Sequence, residues 1–166
     1  VDLVKHFGVS AVTVNRTLDY TDKEQTERTS KAMYGNEPAS EYGLDQLDRL
    51  CKLCNKNGCR LIIINTPRPA YDVISYGTDE YFDQMRTLNS FLTERGATYY
   101  DFNLAKPELF ESHKDYYASS EHLNTKGTEV FSKSFGYFIK KILSGEPNEN
   151  LEKEFFSPDE YIEREY

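Results

Sequence analysis

The stretch CRLIIINTP, residues 59–67, indicates the class of the fold. Its apolar residues are continuous rather than alternating, which is typical of a strand covered on both faces, as in a parallel sheet. The preceding stretch, EYGLDQLDRLCKLCNKNG (41–58), has the pattern of an amphipathic helix. It ends at Gly58, a residue suited to the left-handed cap of a helix. A helix followed directly by a buried strand is therefore the first unit that the sequence predicts.

The chain continues in the same alternating order after a loop rich in proline and glycine. Residues 78–96 predict a second helix, ATYYDFN (97–103) predicts a second strand, and residues 124–143 predict a last helix. The order helix–strand–helix–strand–helix is the signature of a layered α/β fold with a parallel sheet. Residues 1–39 are poorly assigned, although VSAVTVNRT (9–17) alternates as a strand would.

Polar side chains stand at the predicted carboxyl ends of the two strands. Asn65 ends the first strand, and Asp101 and Asn103 end the second. Sites in parallel sheets form beyond these strand ends, so all three are candidate substrate-binding residues. Asn and Asp also form loops and helix caps, and that interpretation stays open beside the functional one.

Negative charge is concentrated at the end of the chain. The net charge is −8, of which residues 145–166 carry −6, from eight acidic and two basic side chains. Binding of nucleic acid requires clustered Lys and Arg, so this distribution argues against it. No apolar run is long enough to span a membrane. We expect residues 144–166 to form an acidic tail beside a domain of residues 1–143. Aromatic residues could dock this tail onto the domain or onto a partner chain: Phe155, Phe156, Tyr161 and Tyr166.

The three cysteines lie close together in CKLCNKNGC, as Cys51, Cys54 and Cys59. A zinc site needs four nitrogen or sulfur ligands, and no histidine or further cysteine lies nearby in the sequence. Cys51 and Cys54 share a helical face with leucines, which favours packing in the core. A redox or zinc module remains the alternative. We expect no metal and no cofactor.

His122 lies just ahead of the predicted last helix, in SSEHLNTKG (119–127). Unpaired N–H groups and the positive end of the helix dipole favour a neutral ring there, which is able to accept a proton. A neutral histidine held by a carboxylate is the general base of a Ser–His–acid hydrolase. Alternatively, His122 only bridges loop and helix, with Asn124 as the N-cap. A metal site is a further alternative, with these ligands: Asp101, His113, Asp115 and His122.

HLNTKGTEVFS (122–132) resembles the final block of SGNH/GDSL-type hydrolases, especially the subgroup related to alginate and teichoic-acid acylation proteins. LCKLCNKNGCRLIIINTPRP (50–69) is similar to the family's helix, strand and Thr-Pro loop, and GATYYDFN (96–103) is similar to its next strand. The resemblance covers about residues 40–143. It implies a three-layer α/β sandwich with a mainly parallel sheet, of the flavodoxin-like SGNH type.

The same resemblance implies that His122 is the catalytic base. The family's acid stands three residues before this histidine, and that place is taken here by Ser119. A hydroxyl can orient an imidazole, but it supplies no charge to stabilise the imidazolium. Two carboxylates lie near in sequence: Glu121, whose side chain should point away from an adjacent one in an extended segment, and Asp115.

The family's nucleophilic serine follows the first strand in a Gly-Asp-Ser-like turn, and this chain contains no such turn. Its Gly-x-Asn-Asp block is absent as well. Ser10 is the candidate nucleophile of this chain. The segment that contains it, FGVSAVTVN (7–15), either is a helix and loop that matches no block of the family or faintly resembles its second block. Ala11 then stands where a glycine N–H serves the oxyanion hole. Either the first part of the domain lies outside this chain, or the chain descends from a hydrolase and has lost these parts.

The expected function follows from this resemblance. It is an esterase or acyltransferase acting on acyl esters of a cell-envelope carbohydrate, or on another small ester, with His122 as general base. The expected location is outside the cytoplasm, in the periplasm or at the cell surface. The alternative is a catalytically inactive SGNH-like domain that binds a glycan or a protein partner.

Overall fold

The computed structural model describes residues 40–69, 78–119 and 122–163, and it has an α/β fold. Two strands, β1 (Ile62–Asn65) and β2 (Thr98–Asp101), pair in parallel and place Asn65 opposite Asp101. Several residues singled out in the sequence lie outside the described ranges: Ser10, Ala11, Glu121 and Tyr166.

The three predicted helices occur in the expected order, one further short helix lies in the loop before the last of them, and two more follow it. They are α1 (Glu41–Lys56), α2 (Thr78–Thr93), α3 (Pro107–Phe110), α4 (Thr125–Leu143), α5 (Asn148–Glu152) and α6 (Pro158–Glu163). Gly58 and Gly96 follow α1 and α2 with φ angles of 64° and 73°, a backbone region that residues with side chains rarely adopt. Among the helices described, none is long and apolar enough to cross a lipid bilayer.

One face of the strand pair is covered by α1 and α2. Ile63 and Tyr99 point to this face and pack with Cys51 of α1, Leu92 of α2 and Ala97. Leu92 is completely buried. The apolar stripes predicted for the first two helices therefore contribute to one common cluster.

The opposite face is covered by α4, through an aromatic core. Phe138 of α4 is completely buried, and its ring meets Tyr100 of β2 edge to face at 4.8 Å between centroids. Phe102 and Phe131 make a second such pair at 5.1 Å. Each pair contributes about 0.5–1.5 kcal/mol beyond the burial of its area. Ile62 and Ile64 of β1 pack against this core, so helices lie on both faces of the strands.

Residues 144–163 pack against the domain. Leu151 is completely buried in the aromatic core, and Phe155 stacks on Tyr100 at 5.6 Å between ring centroids. Tyr161 is 1% exposed and meets Phe82 of α2 edge to face. The backbone N–H of Lys106 also donates to the carbonyl of Glu154 at 2.8 Å. The acidic segment thus contributes apolar side chains to the core, and the carboxylate of Glu154 pairs with Lys141 of α4.

Replacing Leu151 by alanine should lower the free energy of unfolding by about 2–5 kcal/mol, because a buried cavity replaces packed methyl groups. Leu143→Ala is the matched control, since Leu143 is 80% exposed. Its effect should stay within about 0.5 kcal/mol. Urea denaturation of both variants measures the difference. Equal effects would contradict the packing of residues 144–163 onto the core.

Candidate functional site

The loop that carries His122 is held in place by its own backbone. The N–H of Ala118 donates to the carbonyl of His122 at 2.8 Å. Next to this bond, Tyr117 and Leu123 form an antiparallel bridge. Tyr117 is completely buried, so the bridge is attached to the core. The backbone at His122 is therefore fixed although its ring lies at the surface.

Asn124 joins this loop to the start of α4. Its Oδ1 accepts the N–H of Gly127 at 2.9 Å, and its Nδ2 donates to the carbonyl of Asp115 at 2.7 Å. Its own N–H donates to the carbonyl of Tyr116 at 2.8 Å. Gly127 lies so close to the loop that a Cβ there would come within 2.1 Å of the Tyr116 carbonyl oxygen. The predicted N-cap is confirmed, and the first turn of α4 fits the loop only with glycine at this position.

The ring of His122 is exposed and is oriented by one side chain. The Oγ of Ser119 lies 3.0 Å from its Nδ1. In the tautomer with the proton on Nδ1, the ring donates to this hydroxyl oxygen and the lone pair of Nε2 is left to accept a proton. Within the described ranges, no other group is seen to bond to the ring, so it is held at Nδ1 and open at Nε2, which is the geometry that a general base requires.

The carboxylate of Asp115 contacts a different histidine. Its Oδ2 lies 3.6 Å from Nδ1 of His113, and its backbone N–H donates to the same nitrogen at 3.3 Å. In the described part of the chain, no carboxylate bonds to the ring of His122. The hydroxyl of Ser119 orients the ring there, and it adds no negative charge.

The three predicted substrate-binding residues meet at the carboxyl ends of β1 and β2. Asp101 is 5% exposed, and its Oδ1 accepts the backbone N–H of Asn103 at 3.0 Å and the Nδ2 of that residue at 2.9 Å. Its Oδ2 accepts a short hydrogen bond from the hydroxyl of Tyr81. The hydroxyl of Tyr99 and the Nδ2 of Asn65 lie 3.3 Å and 3.4 Å from the same oxygen. Five donors from four residues thus surround one buried carboxylate. We call Asp101 and these four residues the Asp101 cluster: Asn65, Tyr81, Tyr99, Asp101 and Asn103.

Asn103 extends the Asp101 cluster to the loop that follows β1. Its Oδ1 accepts the backbone N–H of Arg68 at 2.7 Å, and its Nδ2 also donates to the hydroxyl oxygen of Tyr81 at 2.9 Å. Because Tyr81 belongs to the first turn of α2, the network connects both strands, a loop and a helix. A buried carboxylate with its lone pairs occupied is typical of a group that fixes structure.

Two members of the Asp101 cluster were missed by the sequence analysis. Tyr99 lies two residues before Asp101 in the strand, so both side chains point to the same face, and this spacing is a signal that the sequence does contain. Tyr81 is brought to the carboxylate by tertiary packing from α2. Nothing in its local sequence indicates that contact.

Burial dominates the electrostatics of the Asp101 cluster. Removal from water raises the pKa of Asp101 above the ordinary value of 3.8, despite the donors around it. Desolvation, followed by the nearby charge of Asp101, also raises the pKa of Tyr81 and of Tyr99. Both phenols therefore remain protonated and act as donors.

His122 and the Asp101 cluster are separate features of the described structure. Within residues 40–69, 78–119 and 122–163, no hydrogen bond or ion pair connects this histidine with the cluster. The histidine ring is exposed, whereas the carboxylate is buried. Ser10 and Ala11 lie outside these ranges, so their roles beside His122 stay predictions.

Among the described residues, the cysteines do not form a cluster with other ligating side chains. Cys51 is 2% exposed and packs with Leu92, and burial raises the pKa of its thiol. Cys54 is half-buried, Cys59 is exposed, and all three are free thiols. Over the described ranges, no three His, Cys, Asp or Glu side chains are grouped so that they could hold a metal ion.

Comparison with known proteins found no match. No protein-family model, curated protein or solved structure matches the chain.

The raised pKa of Asp101 predicts that folding stability falls as the pH rises. The folded state holds this proton more tightly than the unfolded state, so its contribution is fully present below pH 3.8 and is lost as the pH passes the raised pKa. The slope is at most about 1.4 kcal/mol per pH unit. Measuring the free energy of unfolding from pH 4 to pH 8 should show this slope in the wild type and not in Asp101→Asn.

The exposed Asp159 provides the control for this measurement. The Asp159→Asn variant should retain the wild-type slope. A wild type that gains stability relative to Asp101→Asn over the same interval would contradict the assignment.

Proposed function

We propose that the chain forms the carboxy-terminal part of an SGNH-like three-layer α/β domain that acts on ester-linked acyl groups, with His122 as the general base. The observation that carries the proposal is the 3.0 Å contact between Ser119 Oγ and His122 Nδ1. Ser119 stands three residues before the histidine, in the place of the acid in the family that the sequence resembles. This contact is the one by which a triad acid orients its histidine.

The order of elements around His122 supports the proposal. The histidine loop follows β2 and leads directly into α4, the helix whose first block carries the resemblance. Helices on both faces of a parallel strand pair are compatible with a three-layer sandwich. The positive end of α4 then lies next to the site, where negative charge develops during acyl transfer.

The chemistry assigned to His122 is proton transfer at Nε2. This nitrogen takes the proton of a serine hydroxyl while the serine oxygen attacks the ester carbonyl, and it then returns the proton to the departing alcohol oxygen. Water repeats the sequence and releases the acid, or a second alcohol takes up the acyl group. The nucleophile lies outside the described residues, and Ser10 is the candidate in this chain.

Ser119 has a limited role in this mechanism. It holds the imidazole in one orientation, but it gives no electrostatic support to the imidazolium that forms. Replacing the acid of a triad by a neutral group lowers kcat by about 10⁴-fold in a well-studied protease. The proposed activity is therefore slow compared with that of a complete triad.

The substrate and the place of action are taken from the resemblance. We assign an acylated carbohydrate of the cell envelope as the substrate class, which places the protein in the periplasm or at the cell surface. Tyrosine side chains near the loop have the shape that stacks on sugar rings, and Tyr116 is half-buried beside His113.

The second candidate function is binding without catalysis, by an SGNH-like domain that has lost its triad. Residue 119 favours this binding function, because a serine stands there in place of a carboxylate. In the described ranges no carboxylate bonds to His122. A binding domain would use the exposed loop for a glycan or a protein partner. The two candidates differ in whether His122 changes the rate of ester cleavage.

His122→Ala should lower the rate of p-nitrophenyl acetate hydrolysis by about 10²-fold or more, because it removes the general base. His113→Ala is a matched control, since His113 is also an exposed histidine of the same loop. This control should keep the wild-type rate. Hydrolysis that survives His122→Ala unchanged would end the catalytic assignment.

Ser119→Asp should raise kcat for the same ester by about 10-fold or more, since it restores a charge beside Nδ1. Ser132→Asp adds the same charge at an exposed position of α4 and should leave kcat unchanged. The gain in kcat should disappear in the double variant with His122→Ala. No hydrolysis by either the wild type or Ser119→Asp would favour the binding function.

A further inference from the structure

A groove of about 620 Å³ lies along the edge of β2 that faces away from β1. Its lining includes all four residues of Thr98–Asp101 and, among the described residues, none of β1. Met85 and Asn89 of α2 form one wall, and α5 with the residues after it forms the other. We call this cavity the edge groove.

The backbone of β2 offers unused hydrogen-bonding groups to the edge groove. The N–H of Thr98 donates to the carbonyl of Leu61 at 3.1 Å, so Thr98 is oriented towards the neighbouring strand. Successive residues of a strand alternate in this direction, which turns the N–H and carbonyl of Tyr99 towards the groove. No group in the described ranges pairs with them. An edge of this kind is a template for another strand.

A buried hydroxyl in the lining also lacks a partner. Tyr100 is 4% exposed, it lines the edge groove, and its hydroxyl forms no hydrogen bond within the described ranges. Leaving a buried polar group unpaired is unfavourable. This observation is independent of the open strand edge.

The two walls of the edge groove differ in charge. Glu149 and Glu152 stand one turn apart on α5, and neither forms an ion pair in the described part of the chain. Lys153, which follows them in the lining, donates to Asn150 Oδ1 at 3.2 Å, so this wall carries a net charge of −1. At the other end, Lys106 is already paired with Glu160 at 3.2 Å. The α2 wall carries uncharged side chains such as Met85. A complementary ligand is therefore positive towards α5 and apolar towards α2.

We propose that the edge groove binds an extended basic peptide segment of a partner protein, which pairs with β2 as an added strand. Side chains of an extended peptide alternate between two faces, so Lys or Arg at every second position meets Glu149 and Glu152. Small apolar residues between them meet the α2 wall. This interaction goes beyond the proposed esterase function and does not depend on His122.

The test uses the 166-residue chain and a synthetic peptide, acetyl-Thr-Val-Lys-Val-Lys-Val-Thr-amide, with binding measured by isothermal titration calorimetry. Two control peptides isolate the two components of recognition. One has Glu in place of Lys, and the other is N-methylated at alternate residues, so that it cannot complete the ladder. Each should bind at least about tenfold more weakly than the Lys peptide. No binding of the Lys peptide, or equal binding of either control, overturns the proposal.

Two matched variants locate the binding. Asn89→Trp fills the edge groove from an exposed position and should weaken the Lys peptide by about tenfold or more. Ser90→Trp adds the same side chain at the next exposed position of α2, outside the lining, and should change affinity by less than about twofold. Circular dichroism confirms that both variants are folded. Equal effects of the two variants contradict the site.

Self-association is the competing occupant of the edge groove. Analytical ultracentrifugation of the wild type and of Asn89→Trp distinguishes self-association from the binding of a partner peptide. A wild-type dimer that Asn89→Trp separates into monomers would mean that a second copy of this chain takes the open edge, which overturns the assignment to a partner peptide.

Discussion

The carboxylate of Asp101 is the constraint on which the relative placement of strands and helices depends. Removing an ionised carboxylate from water is unfavourable by several kcal/mol unless donors replace the lost hydration. Here those donors come from the end of β1, the first turn of α2 and the turn after β2. Loss of any one of these elements leaves the charge partly unsolvated. A single group thus couples the parts of the fold that are distant along the chain.

Helices and strands were predictable where the pattern is local and strong. The last helix ends at Leu143, as predicted. It was predictable because its apolar stripe is long and Asn124 marks its start. Leu50, one of the leucines expected to share a buried face with Cys51 and Cys54, is 40% exposed. A helical stripe gives the direction of the core but not where the neighbouring helix stops covering it. The packing of residues 144–163 was left open for the same reason, since composition shows charge and not the burial of Leu151.

In the candidate site as well, contacts between residues close in sequence were predictable and contacts between distant residues were not. Ser119 and His122 are three residues apart, so a turn brings them together and the sequence alone predicts their contact. The partners of Asp101 come from positions as far as 36 residues away, and only tertiary packing selects Tyr81 among the many tyrosines of the chain. The site around the histidine can thus be expected from sequence. The extent of the Asp101 cluster needs the structure.

The buried thiol of Cys51 gives the fold an internal reporter of its own opening. Alkylating reagents attack the thiolate, and the exposed Cys59 is accessible to them in the native protein whereas Cys51 is buried between α1 and α2. Modification of Cys51 requires that these two helices separate. Its labelling rate therefore records how often this layer detaches from the strands, independently of the aromatic layer on the opposite face.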